Sequence, residues 1–218
     1  MTKYHKIDTM FKRDMENGGK IIFGKWAVPE LEYLKDNQWQ FTEKVDGTNI
    51  RIYYTGRRPA LSTDANIEYG GRTDNAQIPT ILIKRLDELF RSEMGQARLA
   101  ETFPDSNIVL YGEGYGAKIQ GGGKYKDHAD FVLFDVRVDD WWLKRDDVHD
   151  VAAKLGIDAV PVVGQGTLLE AIDLVKHAGL TSDWGDFPAE GIVARPTTEL
   201  FNRRGDRIIA KIKARDFR

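Results

Sequence analysis

The chain contains no cysteine among its 218 residues. Disulfide frameworks, thiolate nucleophiles and cysteine-held metal sites are therefore excluded, and the composition suits a reducing cytoplasm. Histidine is almost as scarce. His5, His128, His149 and His177 show no i,i+4 pairing, which argues against a histidine-built metal site. Long apolar runs are missing too: none approaches the roughly 18 residues of a membrane span. The opening "MTKYHKIDTMFKRDMENGGK" has no apolar signal-peptide core, so no membrane partner is expected. Nor does one charge dominate. With 32 basic and 34 acidic residues the net charge is −2, so no global basic field marks a polyanion binder, although a local basic cleft stays open. Low-complexity linkers, repeats and a composition break between domains are all lacking.

What is present is ordinary for a globular chain, at 41% hydrophobic and 30% charged residues. A chain of this length buries roughly 70–75% of its unfolded surface. Stretches rich in β-branched and aromatic residues predict strands at "WQFTEK", "NIRIYY", "NIVLYGE", "DFVLFDVRV", "DAVPVV", "EGIVARP" and "DRIIAKIKA". Apolar spacing predicts a helix over 78–92, with Pro79 in its first turn. A second helix begins at the Thr167/Glu170 capping box and ends at Gly179. A shorter one over 145–156 is expected to pack beside it. Strands clustered and only partly interleaved with helices point to α+β with mostly antiparallel sheet.

Chemistry could sit in a few places. In "EKVDGTNIRIYY" Lys44 lies between acids and ahead of Gly47. A lysine ammonium must lose its proton to attack anything, and neighbouring cations or desolvation favour that loss. Asp46 falls on the same side if the segment is extended, and Gly47 permits close backbone approach to a ligand. Taken alone, the stretch is equally a surface Lys-x-Asp pair with a turn glycine. In "RIIAKIKARDF" strand alternation puts Lys211 and Lys213 on one face and Ala210 and Ile212 on the other. Paired like charges call for an anion such as phosphate, unless this is a solvated edge strand. Glu113 and Glu190 fall beside glycines at predicted strand ends, where a ligand or another segment comes close. Phe134 and Asp135 interrupt an apolar strand, and Arg72 follows two glycines. "GEGYG" imitates a nucleotide loop but does not continue as G-x-G-x-x-G into a capped helix. "GGGK" lacks the spacing and trailing hydroxyl of a P-loop.

Taken in order, "EKVDGTN", "YGEG", "FVLFDV", "EGIVAR" and "IAKIK" resemble the five collinear motifs of the covalent nucleotidyltransferase superfamily, which includes ligases and mRNA-capping enzymes. The likeness runs from about residue 40 to the end and is closest to ATP-dependent RNA ligases of the RNA ligase 2 type. Lys44-Val45-Asp46-Gly47-Thr48-Asn49 matches their Lys-x-(His/Asp)-Gly-Thr-Asn, whereas DNA ligases and capping enzymes more usually carry arginine in place of Asn49. The resemblance implies an α+β nucleotidyltransferase (ATP-grasp-like) fold of mostly antiparallel sheets flanked by helices. It implies that Lys44 attacks the α-phosphorus of ATP to form lysyl-AMP. AMP then passes to an RNA 5′-phosphate and is displaced by a 3′-hydroxyl, as in RNA repair, with nicked duplex among the candidate substrates. By the same resemblance Lys211 and Lys213 contact the nucleotide phosphate, Phe134 stacks on adenine, and Glu43 sits near the base edge. Glu113 would bind the ribose, Arg72 would meet phosphate or the RNA 5′ end, and Asn49 would act near the joining steps. Glu190 would engage Mg2+ or Mn2+. The chain stops five residues after Lys213, so one nucleotidyltransferase domain over 1–218 is expected, with no separate C-terminal domain. The rival readings are a minimal DNA ligase and a noncatalytic RNA- or nucleotide-binding module.

Overall fold

The computed structural model describes residues 3–56, 66–177 and 179–217. The chain separates into two compact units: Asp46–Val160 with the N-terminal residues up to Tyr4, and His5–Val45 with Pro161–Arg218.

In the first unit a sheet runs in the order Asp158–Ala159, Ala129–Val138, Asn107–Gly116, Thr48–Thr55, Ile67–Gly70, with Trp141–Trp142 pairing onto Ala129–Val138. Only the Asp158–Ala159 pairing is parallel. Alternation along Thr48–Thr55 separates Ile50, Ile52 and Tyr54 from Asn49, Arg51 and Tyr53. The apolar set joins Leu110, Leu133 and the inner faces of helices Thr80–Leu86, Glu93–Thr102 and Arg145–Leu155 in one core. The helix expected over 78–92 is α-helical only over Thr80–Leu86. A π-turn follows over Asp87–Arg91, and Ser92 then caps Glu93–Thr102 by accepting from the Gly95 N–H at 3.1 Å. "GEGYG" belongs to the Asn107–Gly116 strand, so Glu113 stands inside a strand and not at its end.

In the second unit the order is Asp8–Thr9, Ala210–Lys213, Gly191–Pro196, Trp39–Glu43, Val162–Gly166, and only the Asp8–Thr9 pairing is parallel. A hairpin, Phe11–Asp14 with Lys20–Trp26, lies in the chain between Asp8–Thr9 and Trp39–Glu43. Helix Leu168–Lys176 starts with the expected Thr167/Glu170 capping box. It buries Leu168, Ala171, Ile172 and Val175 with Trp39, Phe41, Ile192 and Ile212. Trp39 is wholly buried and donates its indole N–H to the Leu34 carbonyl at 2.9 Å.

The α+β architecture of mostly antiparallel sheets is as the sequence predicts. Two local expectations fail. Helix Arg145–Leu155, expected beside Leu168–Lys176, packs with Glu93–Thr102 in the first unit's core, while Leu168–Lys176 belongs to the second unit's. Periodicity identifies an apolar face but not the face it meets. The single strand expected at "DAVPVV" is two, Asp158–Ala159 and Val162–Gly166, in separate sheets. Pro161 between them has no N–H for a ladder bond. No helix among the described residues is long and apolar enough to cross a membrane.

Candidate active site

The residues singled out by sequence divide between the units. Glu43, Lys44, Glu190, Lys211 and Lys213 belong to the second; Asn49, Arg72, Glu113 and Phe134 belong to the first.

Lys44 follows the last residue of the Trp39–Glu43 strand, and its backbone N–H donates to the Gly191 carbonyl at 2.9 Å. Its Nζ donates to Glu190 Oε2 at 2.5 Å and to the Val45 carbonyl at 3.2 Å. The other oxygen, Glu190 Oε1, accepts from Lys213 Nζ at 2.6 Å. One carboxylate thus bridges two ammonium groups. The backbone repeats the link, because the Ala214 N–H donates to the Glu190 carbonyl at 2.9 Å. Asp216 fixes the strand end by accepting from the Lys213 N–H at 3.1 Å while paired to Arg13 at 2.8 Å. Side-chain exposures of 20%, 15% and 18% for Lys44, Glu190 and Lys213 leave the row shielded yet reachable by a ligand.

Burial alone would raise the Glu190 carboxyl. The charge of Lys44 and the hydrogen bond from Lys213 outweigh it, so the group ionises below its ordinary value of 4.5. A depressed carboxyl contributes stability that is present above the unfolded value and lost as pH falls through the folded one. Acid unfolding of the wild type is therefore expected to steepen below about pH 4.5, and that of Glu190→Gln to be flatter there. Melting temperatures of both proteins between neutral and acidic pH check this.

Alternation sets Lys211 on the same face as Lys213, with Ala210 and Ile212 buried opposite, as expected. Lys211 pairs with Thr9 on one side and Val193 on the other. Glu43 is almost fully buried, with Oε1 accepting from Ser182 Oγ at 2.7 Å and Oε2 from the Asp183 N–H at 2.9 Å. Its carboxylate thereby ties the 182–183 turn to the residue preceding Lys44.

In the first unit Asn49 and Glu113 are direct cross-strand partners, within reach of one another on one face. A Cβ on Gly47 would lie 2.2 Å from the Gly114 carbonyl oxygen, so the close approach this glycine permits is to a neighbouring strand. Pairing jumps from Tyr111↔Asp135 to Gly112↔Leu133, which leaves Phe134 as the extra residue of a β-bulge. Leu133 and Val136 both enter the core, so Phe134 and Asp135 share the opposite face. There Tyr4 meets Phe134 edge-on at 5.2 Å and donates its hydroxyl to Asp135 Oδ2 at 2.6 Å. Arg72 is exposed in the 71–75 turn. Arg51, wholly buried, holds that turn through Nε to the Gly71 carbonyl at 2.8 Å and Nη2 to Asp74 Oδ1 at 3.0 Å. Hydrogen bonds from Arg51 and then Lys3 keep the Asp74 carboxyl below the usual range.

Sequence reasoning passed over Arg51, Tyr4 and Ser182. Arg51 had a signal: a charged residue in phase with Asn49 on a strand whose other phase is isoleucine. Tyr4 and Ser182 had none. The described residues contain no group of three or more His, Asp or Glu side chains that could hold a metal. Glu190 offers one ionised carboxylate, which fits Mg2+ or Mn2+ held chiefly by water and phosphate and not by an all-protein cage.

This α+β arrangement has a nucleotidyltransferase-like fold. The chain belongs to the RNA ligase family, whose model matches residues 37–213. No curated protein matches it. Among solved structures it is similar to Naegleria gruberi RNA ligase. An apo variant of that protein superposes with a TM-score of 0.63 at 18% identity, over 97% of this chain and 57% of that one. A variant with ATP and Mn gives 0.63 at 16% identity, over 100% and 61%. A third, with AMP and Mn, gives 0.63 at 18%, over 97% and 57%. The chain therefore spans about three-fifths of the length of the solved ligases it matches.

Proposed function

We propose that this chain is the adenylyl-transferring part of an ATP-dependent RNA ligase. The observation that carries the reading is the Lys44–Glu190–Lys213 row, a lysine poised beside a second cation on a half-shielded carboxylate. In the proposed first step the neutral Lys44 amine attacks the α-phosphorus of ATP. A P–N bond forms, the bond from that phosphorus to the bridging oxygen breaks, and pyrophosphate leaves. The ammonium proton passes to solvent beforehand, since Glu190, with its lowered pKa, is a poor acceptor. An RNA 5′-phosphate oxygen next takes the adenylyl group and releases Lys44; a 3′-hydroxyl then attacks that 5′-phosphorus and expels AMP.

Lys211 and Lys213 would stabilise charge on the transferring phosphoryl group. Glu190 would hold a divalent cation through water or directly, and the cation would supply charge neutralisation at the phosphates. Phe134 would stack on adenine, Glu113 would take the ribose hydroxyls, and Glu43 would lie near the base edge. Asn49 would serve the joining steps. The cysteine-free composition fits a reducing cytoplasm. The test is incubation with Mg2+ and ATP labelled at the α-phosphate, followed by denaturation. The expected result is label on the protein with ATP, none with GTP, and none after chelation. Absence of label with ATP would overturn the reading. Sealing of nicked RNA in preference to nicked DNA is expected in the same preparation.

Arg72 would meet phosphate or the RNA 5′ end, and Arg51 would position it through the turn it holds. Asp74→Ala removes one of the two bonds by which Arg51 holds that turn, leaving the one to the Gly71 carbonyl, and is expected to slow joining about 3- to 10-fold. Added to Arg72→Ala it should cost nothing more, because both changes remove one contact. Single-turnover joining rates of the two single variants and the double variant check this.

A further inference from the structure

We propose that the second unit carries a nucleobase-binding pocket for a strand of RNA, separate from the Lys44–Glu190–Lys213 row and resting on the RNA-ligase reading. A cavity of about 400 Å³ lies between the end of helix Leu168–Lys176, the 179–189 loop and the Ala214–Phe217 turn. That volume falls in the range of small-ligand sites. Val175, Leu180, Phe187 and Phe217 supply apolar walls, while Lys176, Thr181 and Asp186 are the polar groups converging on it. Few polar groups on an apolar lining are what a planar, edge-polar ligand requires.

The loop is already braced. The Ala189 N–H donates to the Leu180 carbonyl and the Ser182 N–H to the Phe187 carbonyl, both at 2.9 Å. Its 182–183 turn is held in addition by the Glu43 carboxylate. Little ordering cost is then left for binding.

Phe23 stands against two of the lining residues, Phe217 and Lys176. Between the pairs Phe11↔Trp26 and Arg13↔Ile21 the hairpin register slips, so residues 22–25 stand opposite Lys12 alone, and Gly24 takes a φ of +80°. The bulge turns Phe23 outward, to 59% exposure. The ring is nonetheless fixed, 5.2 Å from Phe11 and 6.3 Å from Phe217, with Lys176 Nζ 4.5 Å above it. Lys25, two residues on in the strand, and Arg215, in the turn packed on this strand, are further exposed cations of the same unit. An immobilised aromatic with cations around it is how single-stranded nucleic acid is held, bases on rings and phosphates on lysines.

Location favours RNA over a protein partner. Gly191 and Ala214 line the pocket, and each directly follows a member of the row, Glu190 or Lys213. A strand with one base in this pocket would have its adjoining backbone close to the group that transfers AMP.

The experiment measures fluorescence anisotropy of a labelled single-stranded oligoribonucleotide with the full chain, alongside ATP labelling of each protein. Phe23→Ala and Lys176→Ala alter exposed side chains, so the fold should tolerate both. Phe23→Ala is expected to weaken RNA binding roughly 5- to 100-fold. Lys176→Ala should lower the salt dependence of binding by about one charge. ATP labelling should persist in both. Wild type that labels with ATP and binds RNA no better than the variants overturns the pocket and leaves the ligase reading standing. Wild type that does not label overturns the ligase reading itself. Unchanged RNA binding with altered sedimentation of Phe23→Ala would mark a protein contact and equally overturn the proposal.

Discussion

Lys44→Ala is expected to abolish covalent labelling by ATP, a loss on the order of 10³-fold or more, because no other amine stands in its place. The neighbouring cation, Lys213, is on the far oxygen of the same carboxylate, 2.6 Å from Glu190 Oε1, and cannot substitute without leaving it. Alanine also removes one partner of a shielded ion pair, and should lower stability by roughly 1 kcal/mol. Loss of label and loss of fold must therefore be separated, and Lys44→Arg does so. Arginine keeps the positive charge opposite Glu190 Oε2, yet its guanidinium stays protonated and is no nucleophile. Lys44→Arg should melt near the wild type and still give no label in intact-mass spectra. An arginine variant that labels like the wild type would sink the assignment of Lys44. An alanine variant that labels would point to a different nucleophile.

How far the residues alone disclosed this site depends on the kind of fact involved. Alternating stretches such as Thr48–Thr55 and Ala210–Lys213 were legible because side-chain direction follows from period two once a strand is granted. Lys211 and Lys213 accordingly fall on one face by sequence alone. That Glu190 spans Lys44 and Lys213 is a tertiary fact about three strand ends, and no spacing encodes it. Glu43 shows the same limit: its carboxylate meets Ser182 and Asp183, about 140 positions away in sequence. The stretch before Trp39 was unreadable for another reason. Two of its strands, Asp8–Thr9 and Phe11–Asp14, are short, and the hairpin carries a bulge that breaks the alternation by which strands are recognised. The resemblance to the ligase motifs marks Phe134, but the bulge that puts it and Asp135 on one face is visible only in the register.

Gly191→Ala is expected to be the most damaging change of a single methyl group in the second unit. The φ of Gly191 is +152°, a conformation L-residues rarely adopt, and its pairing partner is Lys213. A Cβ there would lie 2.1 Å from the Ile212 carbonyl oxygen and 2.7 Å from the Lys213 Cα. Both obstacles are backbone, so neither can rotate away. Relief requires the Gly191–Pro196 and Ala210–Lys213 strands to part at the end where Glu190 and Lys213 meet. The Gly191 carbonyl also accepts the Lys44 N–H, so the same displacement pulls on the proposed nucleophile. Strain and lost pairing together should cost about 3 kcal/mol or more. Denaturant unfolding of Gly191→Ala should show that loss. A fraction that remains folded should label with ATP far more slowly than the wild type. Glu190→Gln provides the contrast, since it keeps the backbone and removes only the charge between the lysines. It is expected to stay folded at neutral pH while labelling falls. If Gly191→Ala unfolds at the wild-type midpoint and labels at the wild-type rate, the strands are not clamped at this glycine. The acid of "EGIVAR" would then owe its position to something other than the residue beside it.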